Sequence, residues 1–156
     1  MRKLPFAFAA VLALPLQSPA PAQAPAQIDV ETLQPISGVW SYRAIAGGSE
    51  ADFIDSAATV RLILRCDQAA RTVSIVRTGV PAAAPVLSIW TSSLARSVPS
   101  SFLATKELTA TLAATDPLLD SIAFSRGRFA TAASGAPIAT VPATAEPARL
   151  IEDCRN

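Results

Sequence analysis

The chain has 156 residues, with thirteen Lys and Arg, twelve Asp and Glu, and no histidine. The absence of histidine excludes a Ser-His-Asp triad, a Cys-His dyad and any metal site with histidine ligands. The formal net charge of +1 is unlike the strong basic excess of nucleic-acid-binding proteins, so we expect no nucleic-acid partner.

The first 26 residues have the composition of a secretory signal peptide. Arg2 and Lys3 precede an apolar run, Leu4–Leu16, that is too short to cross a bilayer, and small residues follow it. Cleavage after Ala22 or after Ala26 satisfies the requirement for small residues at the last and third-last positions. We therefore expect a periplasmic or secreted protein with no stable membrane insertion after cleavage.

The part of the chain that follows this signal has the length of a single domain. Residues 23–36 are rich in Pro, Ala and Gln, which predicts a flexible lead-in over residues 27–36. Residues 37–156 are then a single β-rich domain.

Most of this domain is predicted to be β-strand, because apolar and polar residues alternate with a period of two. The clearest case is Val60–Cys66, whose even-numbered residues share one face. A short turn, Asp67–Ala70, connects it to the next strand as a β-hairpin, and Ser134–Pro137 predicts a second hairpin loop. In chain order, the predicted strands are Gly38–Ala44, Val60–Cys66, Arg71–Arg77, Val86–Ser92, Leu108–Leu112, Arg128–Ala133 and Ile138–Val141.

A short helix is predicted to begin at Asp116-Pro117. Asp caps the free amide groups of a first helical turn, and Pro suits the first helical position. Gly127 is expected to close this helix as the residue after its C-cap.

A second helix is predicted near Pro147, and it carries one of the two cysteines. Pro147, Leu150, Ile151 and Cys154 recur at helical spacing, so Cys154 faces the core. Cys66 ends the inward face of its strand. Two cysteines in an exported protein pair by default, so we predict a Cys66–Cys154 disulfide. This pairing leaves no thiol for nucleophilic or metal chemistry, and we predict no catalytic residue, no cofactor and no metal.

The most distinctive local sequence is Phe124–Phe129, in which two arginines flank a glycine between aromatic residues. Arginine forks bind carboxylate and phosphate groups well. Ser125, Arg126 and Arg128 are therefore candidate contacts for a ligand or partner. Trp90 joins them as a candidate because it faces away from the apolar residues of its strand.

A structural interpretation of the same arginines is also open. Arg126 would neutralise the C-terminal end of the helix dipole, and Arg128 would pair with Asp120, Glu152 or Asp153. The two interpretations predict different consequences of replacing both arginines, since only the first predicts a lost partner.

Carboxylate pairs provide the only catalytic hypothesis. Asp116 and Asp120 are four residues apart, and Glu152 and Asp153 precede Cys154. Two carboxylates at a suitable separation perform glycosidase-type acid and base chemistry. The structural interpretation has them as a helix cap and a solvated helix face.

Three segments carry a resemblance to known proteins: RLILRCDQAARTVSI, TDPLLDSIAFSRGRFA and EPARLIEDCR. They resemble exported, signal-peptide-bearing Gram-negative proteins of uncharacterised function. In layout alone, the chain is similar to the invasion-associated locus B proteins, which are exported, β-rich and cysteine-bearing. Neither resemblance implies a catalytic residue.

We therefore expect a mainly β fold, an antiparallel β-sandwich or partly open barrel with a short helix and a C-terminal helix. The predicted function is a non-catalytic binding module of the cell envelope, with another envelope protein or a cell-wall component as its partner. The alternatives are a carboxylate-dependent hydrolase of a cell-wall substrate and an inhibitor that inserts a loop such as Ser92–Ser101 into an enzyme.

Overall fold

The computed structural model describes residues 25–156, so nearly all of the predicted signal peptide lies outside the described residues. Within the described range are nine strands, two α-helices and a short 3-10 helix, Val30–Thr32. The helices are α1 (Pro117–Ala123) and α2 (Ala145–Asp153). The strands are β1 (Gly38–Ile45), β2 (Gly48–Asp55), β3 (Val60–Asp67), β4 (Thr72–Arg77), β5 (Val86–Trp90), β6 (Ala95–Leu103), β7 (Glu107–Ala113), β8 (Arg128–Ala132) and β9 (Ala139–Pro142).

The nine described strands form one antiparallel sheet in the order β1-β2-β3-β4-β7-β6-β5-β8-β9, curled into a half-barrel. Two hydrogen bonds connect its two ends. The Ile36 amide donates to the Thr140 carbonyl at 2.8 Å, and the Trp40 indole donates to the Pro142 carbonyl at 2.7 Å. The predicted fold class is confirmed, in its barrel-like form.

Helix α1 begins as predicted. The Asp116 carboxylate accepts the Leu118 amide at 2.8 Å, and Pro117 occupies the first turn. The prediction for Gly127 is wrong, because the helix ends at its C-cap Phe124, whose amide already bonds to the Asp120 carbonyl. Gly127 instead has a φ of +71° in the turn that leads into β8.

Helix α2 packs on β1, β2, β3 and α1, and its buried residues include Leu150 and Ile151. Cys154 is its C-cap and forms the predicted disulfide with Cys66, with 5.5 Å between the Cα atoms. The C-terminal helix is thereby covalently attached to the third strand.

Two strands were not predicted. Strand β2 carries Glu50, Asp52 and Asp55, each less than one-tenth exposed, so it lacks the usual apolar alternation. Strand β6 occupies most of the segment proposed as an inhibitory loop. That loop hypothesis is wrong from Ala95 onward, because β6 pairs with both β5 and β7.

Candidate binding site at the turn after helix α1

The turn between α1 and β8 contacts two segments that are distant in sequence. One is the loop of residues 91–94 between β5 and β6, and the other is the N-terminal segment of residues 25–36. The four candidate residues from the sequence all lie at this junction, but their roles differ.

Ser125 holds the turn to the loop. Its side chain is buried, its hydroxyl donates to the Arg128 carbonyl, and its oxygen accepts the Ser92 amide at 3.0 Å. The Arg126 amide in turn donates to the Ser92 hydroxyl at 3.0 Å. These reciprocal bonds fix both backbones, so Ser125 positions the site and is not itself exposed to a ligand.

Trp90 anchors the N-terminal segment. It is 5% exposed, and its indole N–H donates to the Ala26 carbonyl at 2.9 Å. Its ring belongs to a small buried cluster with Val30 and Ala130. The segment predicted as a flexible lead-in therefore packs on the sheet through a buried valine.

Arg128 also holds this segment, since its guanidinium donates to the Leu33 carbonyl. Over residues 25–156 it forms no ion pair with the carboxylates that the structural interpretation assigned to it. Arg155 takes two of them instead, Asp120 at 2.7 Å and Glu152 at 3.0 Å.

Phe124 and Arg126 remain exposed at the same turn. The Phe124 residue is 78% exposed, more than any other large apolar residue that the structure describes. The Arg126 side chain is 82% exposed and lies 3.8 Å from the Glu31 carboxylate. The turn therefore exposes an aromatic ring and a guanidinium two residues apart, on a backbone that Ser92 and Ser125 fix.

Beside this pair is a cleft of about 420 Å³ between the N-terminal segment and the loop. Asp29 and Glu31 line one wall, and Thr91, Ser92 and Ser93 line the other. The Thr91 hydroxyl is already bonded within its own loop, to the Leu94 carbonyl and amide. We call Phe124, Arg126 and this cleft the turn surface. It presents one apolar, one cationic and several hydrogen-bonding groups to the solvent.

The carboxylates considered for catalysis are engaged elsewhere. Asp116 accepts two hydrogen bonds from Arg96, both at 2.8 Å, in addition to capping α1. Asp120 binds Arg155, and Asp153 accepts the Tyr42 hydroxyl. No group of three Asp, Glu or Cys residues suited to a metal ion occurs in the described part of the chain.

Sequence reasoning missed Asp29, Glu31 and Ser92 as parts of this site. Ser92 carried a weak signal, because it ends the predicted strand Val86–Ser92 and two adjacent serines favour a turn. The two acidic residues carried none, since nothing in an alternating pattern shows that residue 31 approaches residue 126. Their role depends on how the N-terminal segment crosses the sheet.

No helix within residues 25–156 is long and apolar enough to cross a membrane. No protein-family model matches the sequence, and no similar protein is found among curated proteins or solved structures. The resemblances to exported Gram-negative proteins and to the invasion-associated locus B proteins therefore stay predictions.

Proposed function

We propose that the protein is an exported, non-catalytic envelope protein, periplasmic or secreted, that binds another envelope protein or a cell-wall component through the turn surface. Two features support an oxidising compartment. The first is the Cys66–Cys154 disulfide, because such bonds persist mainly outside the cytosol. The second is the signal-peptide pattern of the first 26 residues.

The observation that carries the binding proposal is the joint exposure of Phe124 and Arg126. A phenylalanine side chain buries about 150–250 Å² when it packs, so leaving it in water forgoes a large hydrophobic gain. Aromatic residues and arginine are enriched among the contacts that dominate binding energy. Because Ser125 and Ser92 fix the backbone, a partner would order little more than two side chains on binding.

The two alternative functions lack such an observation. A hydrolase requires two carboxylates free to act in one cleft, whereas Asp116 and Asp120 each hold an arginine. In the cleft of the turn surface, Asp29 caps the 3-10 helix and Glu31 lies against Arg126. An inhibitor requires a projecting loop, and β6 occupies most of the proposed one.

Site-specific photocrosslinking in living cells tests the proposal. Benzoylphenylalanine at position 124 should crosslink the protein to a partner protein or to the cell wall. In the second case, the protein would sediment with the purified sacculi. The matched control is the same residue at Leu103, which is 51% exposed at the end of strand β6. Arg126→Gln should abolish the product without changing the midpoint of urea unfolding, and Lys106→Gln should leave it intact.

Equal products from positions 124 and 103, or none from either, would contradict a specific turn surface. Turnover of purified cell wall by the wild type, lost in Asp116→Asn or Asp120→Asn, would replace the binding proposal with the hydrolase.

A further inference from the structure

A second candidate site lies between β1 and the first turns of α2, and it is independent of the turn surface. Tyr42, Ala145, Glu146 and Arg149 line a pocket of about 330 Å³. That volume is at the lower end of the range for small-molecule sites, so it suits a small ligand.

Glu146 brings an unpartnered acceptor to this pocket. Its Oε2 atom is buried and accepts no hydrogen bond from the described residues. Buried carboxylate oxygens are normally hydrogen-bonded, because leaving one unpaired forfeits its interaction with water. Glu146 also lines the pocket, so a change of its side-chain rotamer would bring this oxygen to a donor that enters there.

Arg149 brings an unpaired donor. Its guanidinium carbon lies 4.2 Å from the centroid of the Tyr42 ring, a cation–π contact that orients the fork. The Tyr42 hydroxyl donates to Asp153, which holds the ring in place. Arg149 forms no ion pair anywhere in residues 25–156.

Glu146 and Arg149 are three residues apart on α2, a spacing that places them on one face and commonly lets them pair. They line the same pocket without an ion pair of 4.0 Å or less between them. A purely cationic ligand would meet the guanidinium, and a purely anionic ligand would meet the carboxylate. A group that carries a positive and a negative charge close together satisfies both residues.

We infer that this pocket binds an α-amino-carboxylate zwitterion, with the ammonium donating to Glu146 and the carboxylate accepting from the Arg149 fork. Such a group occurs in free amino acids and at the free end of a diaminopimelate side chain in a cell-wall peptide. The recognition chemistry is the same for both sources.

Titration followed by two-dimensional ¹H–¹⁵N NMR tests the assignment. Three probes are compared: alanine, N-acetylalanine, which lacks the ammonium, and alanine amide, which lacks the carboxylate. Alanine should shift the amide signals of residues around the pocket saturably, and each blocked probe should bind at least tenfold more weakly. A purified muropeptide with a free diaminopimelate α-amino-carboxylate then separates the two sources. Tighter binding of the muropeptide than of alanine indicates the cell wall, and the reverse indicates free amino acids.

Glu146→Gln and Arg149→Gln should each weaken binding of the preferred probe at least tenfold, and Arg149→Lys should have a smaller effect because it keeps the charge but loses the fork. Glu152→Gln, on the same helix outside the pocket, is the matched control and should bind like the wild type. Three outcomes would overturn the inference. The blocked and unblocked probes could bind equally, the Glu146 and control variants could bind equally, or neither alanine nor the muropeptide could bind. None of these outcomes depends on crosslinking at position 124. A negative result here would therefore leave the proposed function of the turn surface intact, and the reverse also holds.

Discussion

At the scale of single residues, the acidic side chains of β2 show how a polar strand is accommodated in the sheet. Glu50 lies in register between Arg43 and Arg65 on the neighbouring strands and binds both. Asp55 binds Arg61 and accepts the amides of Ala57 and Thr59, each at 2.9 Å. Removing an arginine leaves a buried carboxylate uncompensated, whereas removing a carboxylate leaves a half-exposed guanidinium.

Asp55 should make folding sensitive to acid. The amide of Thr59, then the guanidinium of Arg61, and also the amide of Ala57 lower the pKa of Asp55 below its ordinary 3.8. Because the folded-state pKa lies below the unfolded one, the stabilisation is present above about pH 4 and is lost as pH falls through the folded-state value. We expect Asp55→Asn to unfold at lower urea than the wild type at pH 7, with a smaller difference at pH 2.5.

Urea unfolding at both pH values checks this expectation, with Glu152→Gln as the control for an exposed carboxylate. A difference between wild type and Asp55→Asn that is the same at both pH values would contradict the assignment.

At the scale of elements, short pieces of chain are held by individual polar contacts. The N-terminal segment is held by Trp90 through the Ala26 carbonyl, by Arg128 through the Leu33 carbonyl and by the burial of Val30. Helix α1 has only seven residues, too few to be stable in isolation. It depends on its Asp116 cap and on packing.

The two predicted cleavage positions have different consequences for the N-terminal segment. A chain that begins at Gln23 keeps the Ala26 carbonyl for Trp90, whereas one that begins at Gln27 loses it. A buried indole N–H without its acceptor costs about 1–3 kcal/mol. We expect the shorter form to be less stable by about 1 kcal/mol, as measured by urea unfolding of the two purified forms. Equal stability would mean that the bond contributes nothing.

Two substitutions of Asp116 distinguish its role as the cap of α1 from its role as the ion-pair partner of Arg96. Asp116→Ala removes both the cap and the Arg96 pair, and it should lower the free energy of unfolding by about 1–2 kcal/mol. Asp116→Asn keeps a good cap and loses only the charge that binds Arg96, so it should cost less. Urea unfolding of both variants checks the order, and an Asn variant as unstable as the Ala variant would assign the effect to the ion pair.

At the scale of the whole molecule, the disulfide attaches the C-terminal helix to the sheet. It joins residues 88 apart in sequence and attaches α2 to β3 across the interior of the half-barrel. Both cysteines are almost fully buried. The C-terminal end is additionally held by Arg155, which donates to the Ala114 carbonyl at 2.9 Å.

Replacing both cysteines by serine should therefore destabilise the protein strongly. Closing a loop of 88 residues is worth about 4–5 kcal/mol on the chain-entropy model. We expect the double variant to unfold at a much lower temperature than the wild type, and wild type reduced under denaturing conditions and refolded in reductant should match the variant. A loss below about 1 kcal/mol would mean that the unfolded chain gains little freedom without the bond.

Local sequence patterns were enough to predict several elements. The alternation of apolar and polar residues predicted the hairpin of β3 and β4, and Asp116-Pro117 predicted the start of α1. The helical spacing of apolar residues near the C-terminal end predicted that Cys154 faces the core. The polar strand and the two candidate sites could not be predicted, because they depend on contacts between segments that are distant in sequence. Arginines on the neighbouring strands pair with the buried carboxylates of strand β2. The turn surface requires Glu31 near Arg126, and the pocket beside α2 requires Tyr42 under Arg149. Local patterns report what a residue prefers, whereas these sites follow from which strands and helices come to lie side by side.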